Sequence, residues 1–171
     1  MQAVTIRPEW AFAIDVLGCR VISKDYKPEG IMGSGRRIAI HAGKNVGGKP
    51  GKPSALRGMT ELATVAALYR LPSIVLLPWE DDKGAWLAVR AATQDTGRLI
   101  GADDLPHDVI LGTAEIDAPK GLREYTWAVP QLEHWRLRNF QRLDEPVECG
   151  GHQGIWTLPD EIAMMVQGGQ V

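Results

Sequence analysis

Glycine and proline interrupt this chain too often for any regular element to run long. There are 19 glycines and 11 prolines among 171 residues, gathered in stretches such as 28–35 and 43–53 that separate short apolar runs. The runs that remain predict strands at 3–6, just after Gly18, at 37–42, 74–77, 86–92, 109–116, 127–129, 134–142 and 154–158. Gly112, inside the run at 109–116, marks a bulge or a close backbone approach. Helical spacing is confined to three places. Trp10, Ile14 and Leu17 follow Pro8 and stop at Gly18. Leu56, Met59, Leu62, Ala66 and Tyr69 follow a Ser54 N-cap and end before Pro72. A short terminal helix starts at Pro159 and runs to 166. Residues 93–107 read as a polar connection. Many short strands with a few helices predict a mainly β, α+β fold, a small β-barrel with helical additions, rather than a doubly wound sheet.

The composition, 44% hydrophobic and 23% charged, is that of one globular domain over residues 1–171 with a substantial core. It excludes a disordered chain and a disulfide scaffold. No apolar run reaches the ~18 residues of a membrane span. Arg7, Glu9 and Asp15 interrupt the stretch where a secretory leader needs an apolar core, and Cys19 and Cys149 form no paired motif. These features predict a cytoplasmic protein with reduced thiols.

The net charge of −2 conceals an asymmetry: residues 20–57 sum to +7, whereas residues 58–171 sum to −8. The basic segment carries Arg20, Lys24, Lys27, Arg36, Arg37, Lys44, Lys49, Lys52 and Arg57, and predicts a positive face suited to a nucleic-acid backbone. Within it, the run from Gly43 to Lys49 has the spacing of a phosphate loop but fails at Pro50, where a hydroxyl and a helix start are required. It reads instead as a basic loop. Cys149 and His152 have a ligand-like spacing, but no further ligands accompany them, so no metal site and no cofactor are expected. Of the six tryptophans, most are expected in the core, with one or two available to stack on bases.

Four segments in this order carry a family resemblance: Ile6-Arg7-Pro8-Glu9-Trp10-Ala11, Arg37-Ile38-Ala39-Ile40-His41-Ala42, Ile110-Leu111-Gly112-Thr113-Ala114-Glu115 and Gly154-Ile155-Trp156. Together they resemble an ASCH domain across nearly the whole chain, with residues 43–108 enlarged. The resemblance implies a PUA-like (pseudouridine-synthase-and-archaeosine-transglycosylase-like) β-barrel, a cleft between the first helix and the barrel, and a role in RNA or nucleotide chemistry. The family motif after the first helix is Gly, any residue, Lys, two residues, Glu or Thr, any residue, Arg. Here it reads Gly18-Cys19-Arg20-Val21-Ile22-Ser23-Lys24-Asp25, with Arg20, Ser23 and Asp25 replacing the usual residues. Some bacterial relatives with this motif are amidohydrolases on acetylated cytidine that use Lys, a Thr hydroxyl and a Glu. Ser23 keeps a hydroxyl, but the guanidinium of Arg20 stays protonated and cannot serve as a base.

The expected function is therefore binding of RNA or a modified nucleotide in a basic cleft, with Arg7, Trp10, Arg20, Ser23, Arg37, Lys44 and Lys49 as binding residues. Trp10 serves there as a stacking wall or as a packing anchor. The alternative is a hydrolase in the same cleft, either a ribonuclease or an amidohydrolase, with Ser23, Lys24 and His41 as catalytic candidates. A third reading is a protein-interaction module whose cleft is inactive.

Overall fold

The run at 37–42 sits at the centre of the structure. In this computed structural model, which describes residues 1–44, 54–68, 74–81, 84–91, 98–101, 104–120 and 126–169, strand β1 (Gln2–Ile6) pairs in parallel with β3 (Arg37–Ala42), Ala3 opposite Ala39 and Ile6 opposite Ala42. Residues 38–42 are all buried because both faces of this strand pair are covered, so a polar alternation never appears. On one face Val4, Ile6, Ile38 and Ile40 meet two helices, α1 (Pro8–Asp15) through Ala11, Phe12 and Ile14, and α2 (Ser54–Leu68) through Met59, Leu62, Val65 and Ala66. On the other, Ala3 and Ala39 meet Ala163 and Val166 of the terminal helix α3 (Asp160–Gly168).

A parallel pair needs a crossover, and residues 7–36 supply it. Arg7 is the extended N-cap of α1, Pro8 opens the helix, and Gly18, at φ +74°, ends it. The chain there turns back so that the Cys19 N–H donates to the Ala13 carbonyl at 2.9 Å. This is the left-handed glycine stop expected from the sequence. Strand β2 (Val21–Lys24) follows at once.

The main sheet has six strands in the order β2-β8-β7-β3-β1-β9, where β7 is Val109–Asp117, β8 is Glu133–Glu148 and β9 is Ile155–Thr157. It curls into a half-barrel. The mainly β, α+β reading therefore holds at that level. Three strands separate β2 from β1 in the sheet order, yet Lys24 Nζ donates to the Thr5 carbonyl at 2.8 Å, so the curl brings the two together across the open side. The enlarged middle region contributes α2 and a second sheet of β4 (Ile74–Asp81), β5 (Gly84–Ala91) and β6 (Arg98–Gly101), with α2 packed on β4.

Four segments differ from the sequence expectation, one of them β4, which continues past the run at 74–77 to Asp81. Strand β6 occupies part of the region read as a polar connection, pairing Leu99 with Ala88 and Ile100 with Leu87. Residues 127–129 are not a strand: Trp127 has φ 76°, a turn conformation that buries its indole. Strand β8 is longer than expected because bulges carry it past its irregularities. Asn139 adopts φ 48°, and Pro146 falls in the register shift between Arg142 and Val147, where its missing N–H interrupts no ladder bond. Gly112 lies at that shift, and a Cβ there would stand 2.3 Å from the Gln141 carbonyl oxygen. Gly112→Ala is therefore expected to cost about 2–3 kcal/mol through backbone overpacking. Urea unfolding measures it, and an unchanged midpoint would contradict the close approach.

Candidate functional site

The cleft forms where the N-terminus of α1, the end of β2, the α2 surface and the segment before β8 converge. Its volume is about 420 Å³, within the range that encloses one small-molecule ligand. Ile6, Trp10, Ile14, Val21, Ile22, Val129 and Leu132 form its apolar wall, and Arg7, Ser23, Lys24, Asp25 and Glu61 its polar groups. Trp10 is half-buried, touching the core on one side and the cleft on the other. It thus combines the anchoring and wall positions that the sequence left open.

Arg7 projects from the helix N-cap between two carboxylates. Its Nε lies 3.1 Å from Glu9 Oε1 and its Nη2 2.6 Å from Glu61 Oε1. Glu9 is fully buried in the first turn of α1, where the helix dipole favours a negative charge. The arginine thereby fastens α2 to α1 at the edge of the cleft.

Lys24 is the last residue of β2, so the cleft can wrap around the strand's end and reach both Ser23 and Lys24 although they alternate along it. Burial lowers the Lys24 ammonium to about 8, the nearby Arg7 charge pushes it the same way, and Asp25 opposes them. Ser23 Oγ accepts a hydrogen bond from the Val129 N–H at 2.9 Å and stands 3.3 Å from Nδ1 of His134, its cross-strand neighbour. Burial also holds His134 below the usual histidine value, with Glu133 opposing.

The other expected site residues lie elsewhere. Arg20 turns away from the cleft to cap α1: its Nη1 donates to the carbonyls of Ile14 at 2.7 Å and Cys19 at 2.8 Å, and its guanidinium sits 4.8 Å from the Phe140 ring centre. Arg37 ties three strands together, donating to Thr113 Oγ1, the Thr113 carbonyl and the Asn139 carbonyl. His41 is fully buried, hydrogen-bonded to the Cys149 carbonyl at 2.8 Å and Thr5 Oγ1 at 3.1 Å. Its imidazole is packed so tightly that a Cβ on Gly151 would lie 2.1 Å from Cε1. Burial lowers its pKa, against the Cys149 hydrogen bond and the Asp108 charge. Lys44 is exposed at the end of β3 and does not line the cleft, and Lys49 lies outside the described residues.

Of the basic segment, only Lys24 reaches the cleft among the described residues. Arg7 and Lys24 are matched there by Asp25 and Glu61, so the lining formed by the described residues is charge-balanced rather than basic. Neither Glu61 nor His134 is among the site residues that the sequence predicts. Glu61 sits beside Leu62 on α2 and reads as an ordinary solvent-face charge. His134 becomes relevant only through the register that sets it opposite Ser23. Among the described residues, no three His, Cys, Asp or Glu side chains cluster as metal ligands, and no helix is long and apolar enough to cross a membrane. A scan against protein-family models gives no match, and no curated protein is significantly similar to the chain.

The half-buried ammonium makes a pH-dependent contribution to stability. The folded pKa of about 8 lies below the free value of 10.5, so between these limits the unfolded chain binds the proton more tightly. Stability attributable to Lys24 thus rises as pH increases from about 8 toward 10.5. The stability difference between wild type and Lys24→Met is expected to move in favour of wild type across that interval. Parallel denaturation series at successive pH values measure it, and a constant difference would contradict the shift.

Proposed function

We propose that this chain is an ASCH-like domain with a PUA-like fold, and that its cleft binds a single nucleoside, free or within RNA, in modified form. The observation that carries the reading is one cleft of nucleoside scale bearing an indole wall, Trp10, beside the hydroxyl of Ser23 and the ammonium of Lys24. An aromatic face stacks on any base, and hydroxyl and ammonium groups satisfy the polar edge of the ligand. The balanced charge of the lining favours a nucleoside or one nucleotide over a long polyanion track. Few phosphates would be neutralised, so the salt dependence would be shallow.

A second reading, hydrolysis of an amide on such a nucleoside, is favoured by the lowered pKa of Lys24 in the same cleft as Ser23 and Glu61. An amine near neutrality in its pKa can exchange a proton with a reacting group. The ribonuclease alternative loses support, since Arg20 and His41 are engaged away from the cleft.

Calorimetric titration with cytidine, N4-acetylcytidine and a short single-stranded RNA, in a salt series, tests the reading. Saturable nucleoside binding is expected, weakened at least about tenfold by Trp10→Ala, the scale of a lost base–aromatic stack. Absence of binding to all three ligands, or binding that Trp10→Ala leaves intact, would overturn it. Release of acetate from N4-acetylcytidine would place the hydrolase reading first.

A further inference from the structure

The Ser23 hydroxyl is shared between a backbone donor and an imidazole at the edge of the cleft. Ser23 lines the cleft, and one lone pair of its Oγ is occupied by the Val129 N–H at 2.9 Å. That bond fixes the oxygen and directs its own hydrogen elsewhere. The imidazole Nδ1 of His134 stands 3.3 Å from the same oxygen, on the adjacent strand and in direct register. Strand pairing, rather than a flexible loop, sets this distance. The imidazole itself lines a separate shallow groove that shares Leu132 with the cleft. The hydroxyl therefore has a ligand cavity on one side and a base on the other, the arrangement that activates a weak oxygen nucleophile.

We infer that Ser23 and His134 form a nucleophile–base pair that acts on a small acyl ester or amide bound in the cleft. Oγ bonds to the acyl carbon while its proton passes to Nδ1, and the carbonyl π bond opens to an oxyanion. Collapse of that adduct breaks the bond to the leaving alcohol or amine, which takes the proton back from Nδ1. Water then attacks the acyl-serine by the same route, releasing the carboxylic acid and restoring Ser23. The separation of 3.3 Å is that of a resting pair, since such contacts shorten when a substrate is bound. Lys24 is left to orient the ligand or receive its developing charge, and His41 has no part. The inference rests on the cleft as the ligand site but not on the ligand being a nucleoside.

The test is covalent labelling of the full chain with a small alkyl fluorophosphonate, followed by intact mass and peptide mapping. One adduct is expected, formed with loss of fluoride, on the peptide containing Ser23. Ser23→Ala should abolish it and His134→Ala should slow it on the order of a hundredfold. The pH profile of the wild-type rate identifies the base even where a variant fails to fold. Activation by His134 gives a rate that rises with pH along a limb below 6.5, because burial holds that imidazole under its free value. A limb near 8 would assign the base to Lys24 instead. That result, no adduct, an adduct on another residue, or equal labelling of folded His134→Ala would each overturn the inference. Labelling without nucleoside binding would leave the pair standing and remove the nucleoside reading, whereas nucleoside binding without labelling would do the reverse.

Discussion

One hydrogen bond crosses the open side of the half-barrel, from Lys24 Nζ to the Thr5 carbonyl, and the cleft depends on it. A sheet that curls without closing leaves unpaired backbone groups at its gap. Thr5 pairs with His41 of β3 and donates its N–H to the Gly154 carbonyl, and its own carbonyl, past the end of β9, receives the ammonium. The same side chain brings a charge into the cleft, and the surrounding apolar wall lowers its pKa. Structural closure and chemical potential are thus vested in one residue. Arg7 reinforces the arrangement from the other side, holding α2 against α1 through Glu61 and Glu9.

Much of the fold is legible in the sequence because it follows from local rules. Pro8 and Gly18 bracket α1, the apolar spacing of Met59, Leu62 and Ala66 defines the buried face of α2, and the run at 37–42 predicts the strand found there. Gly112 signals a close approach that is present. The misses have non-local causes. Strand β6 depends on an adjacent strand for pairing. The turn at Trp127 is fixed by burial of its indole rather than by β-propensity, and the length of β8 is set by bulges that its partner β7 imposes.

The site was less legible than the fold, and charge explains why. A cluster of nine cations over 20–57 suggests a basic groove, but among the described residues Arg20 and Arg37 are drawn to partners away from the cleft. Arg20 is drawn to the free carbonyls at the end of α1, as expected for a cation at a helix C-terminus. Arg37 is drawn to Thr113 and Asn139 across the sheet. Linear charge density therefore does not by itself place these two cations at one site. Strand alternation was similarly incomplete as a guide: it separates Ser23 from Lys24 by face, whereas a cleft that wraps a strand terminus collects both. The pairing of Ser23 with His134 is a fact of register, across a gap of 111 residues in the chain.

The central claim is that Lys24 is a half-buried, perturbed ammonium at the edge of the cleft. Its titration, followed by NMR of isotope-labelled lysine side chains and assigned by comparison with Lys24→Met, tests this most directly. The account expects one lysine to titrate near 8 and to be absent from the variant spectrum. A Lys24 that titrates at its free value of 10.5 would contradict it.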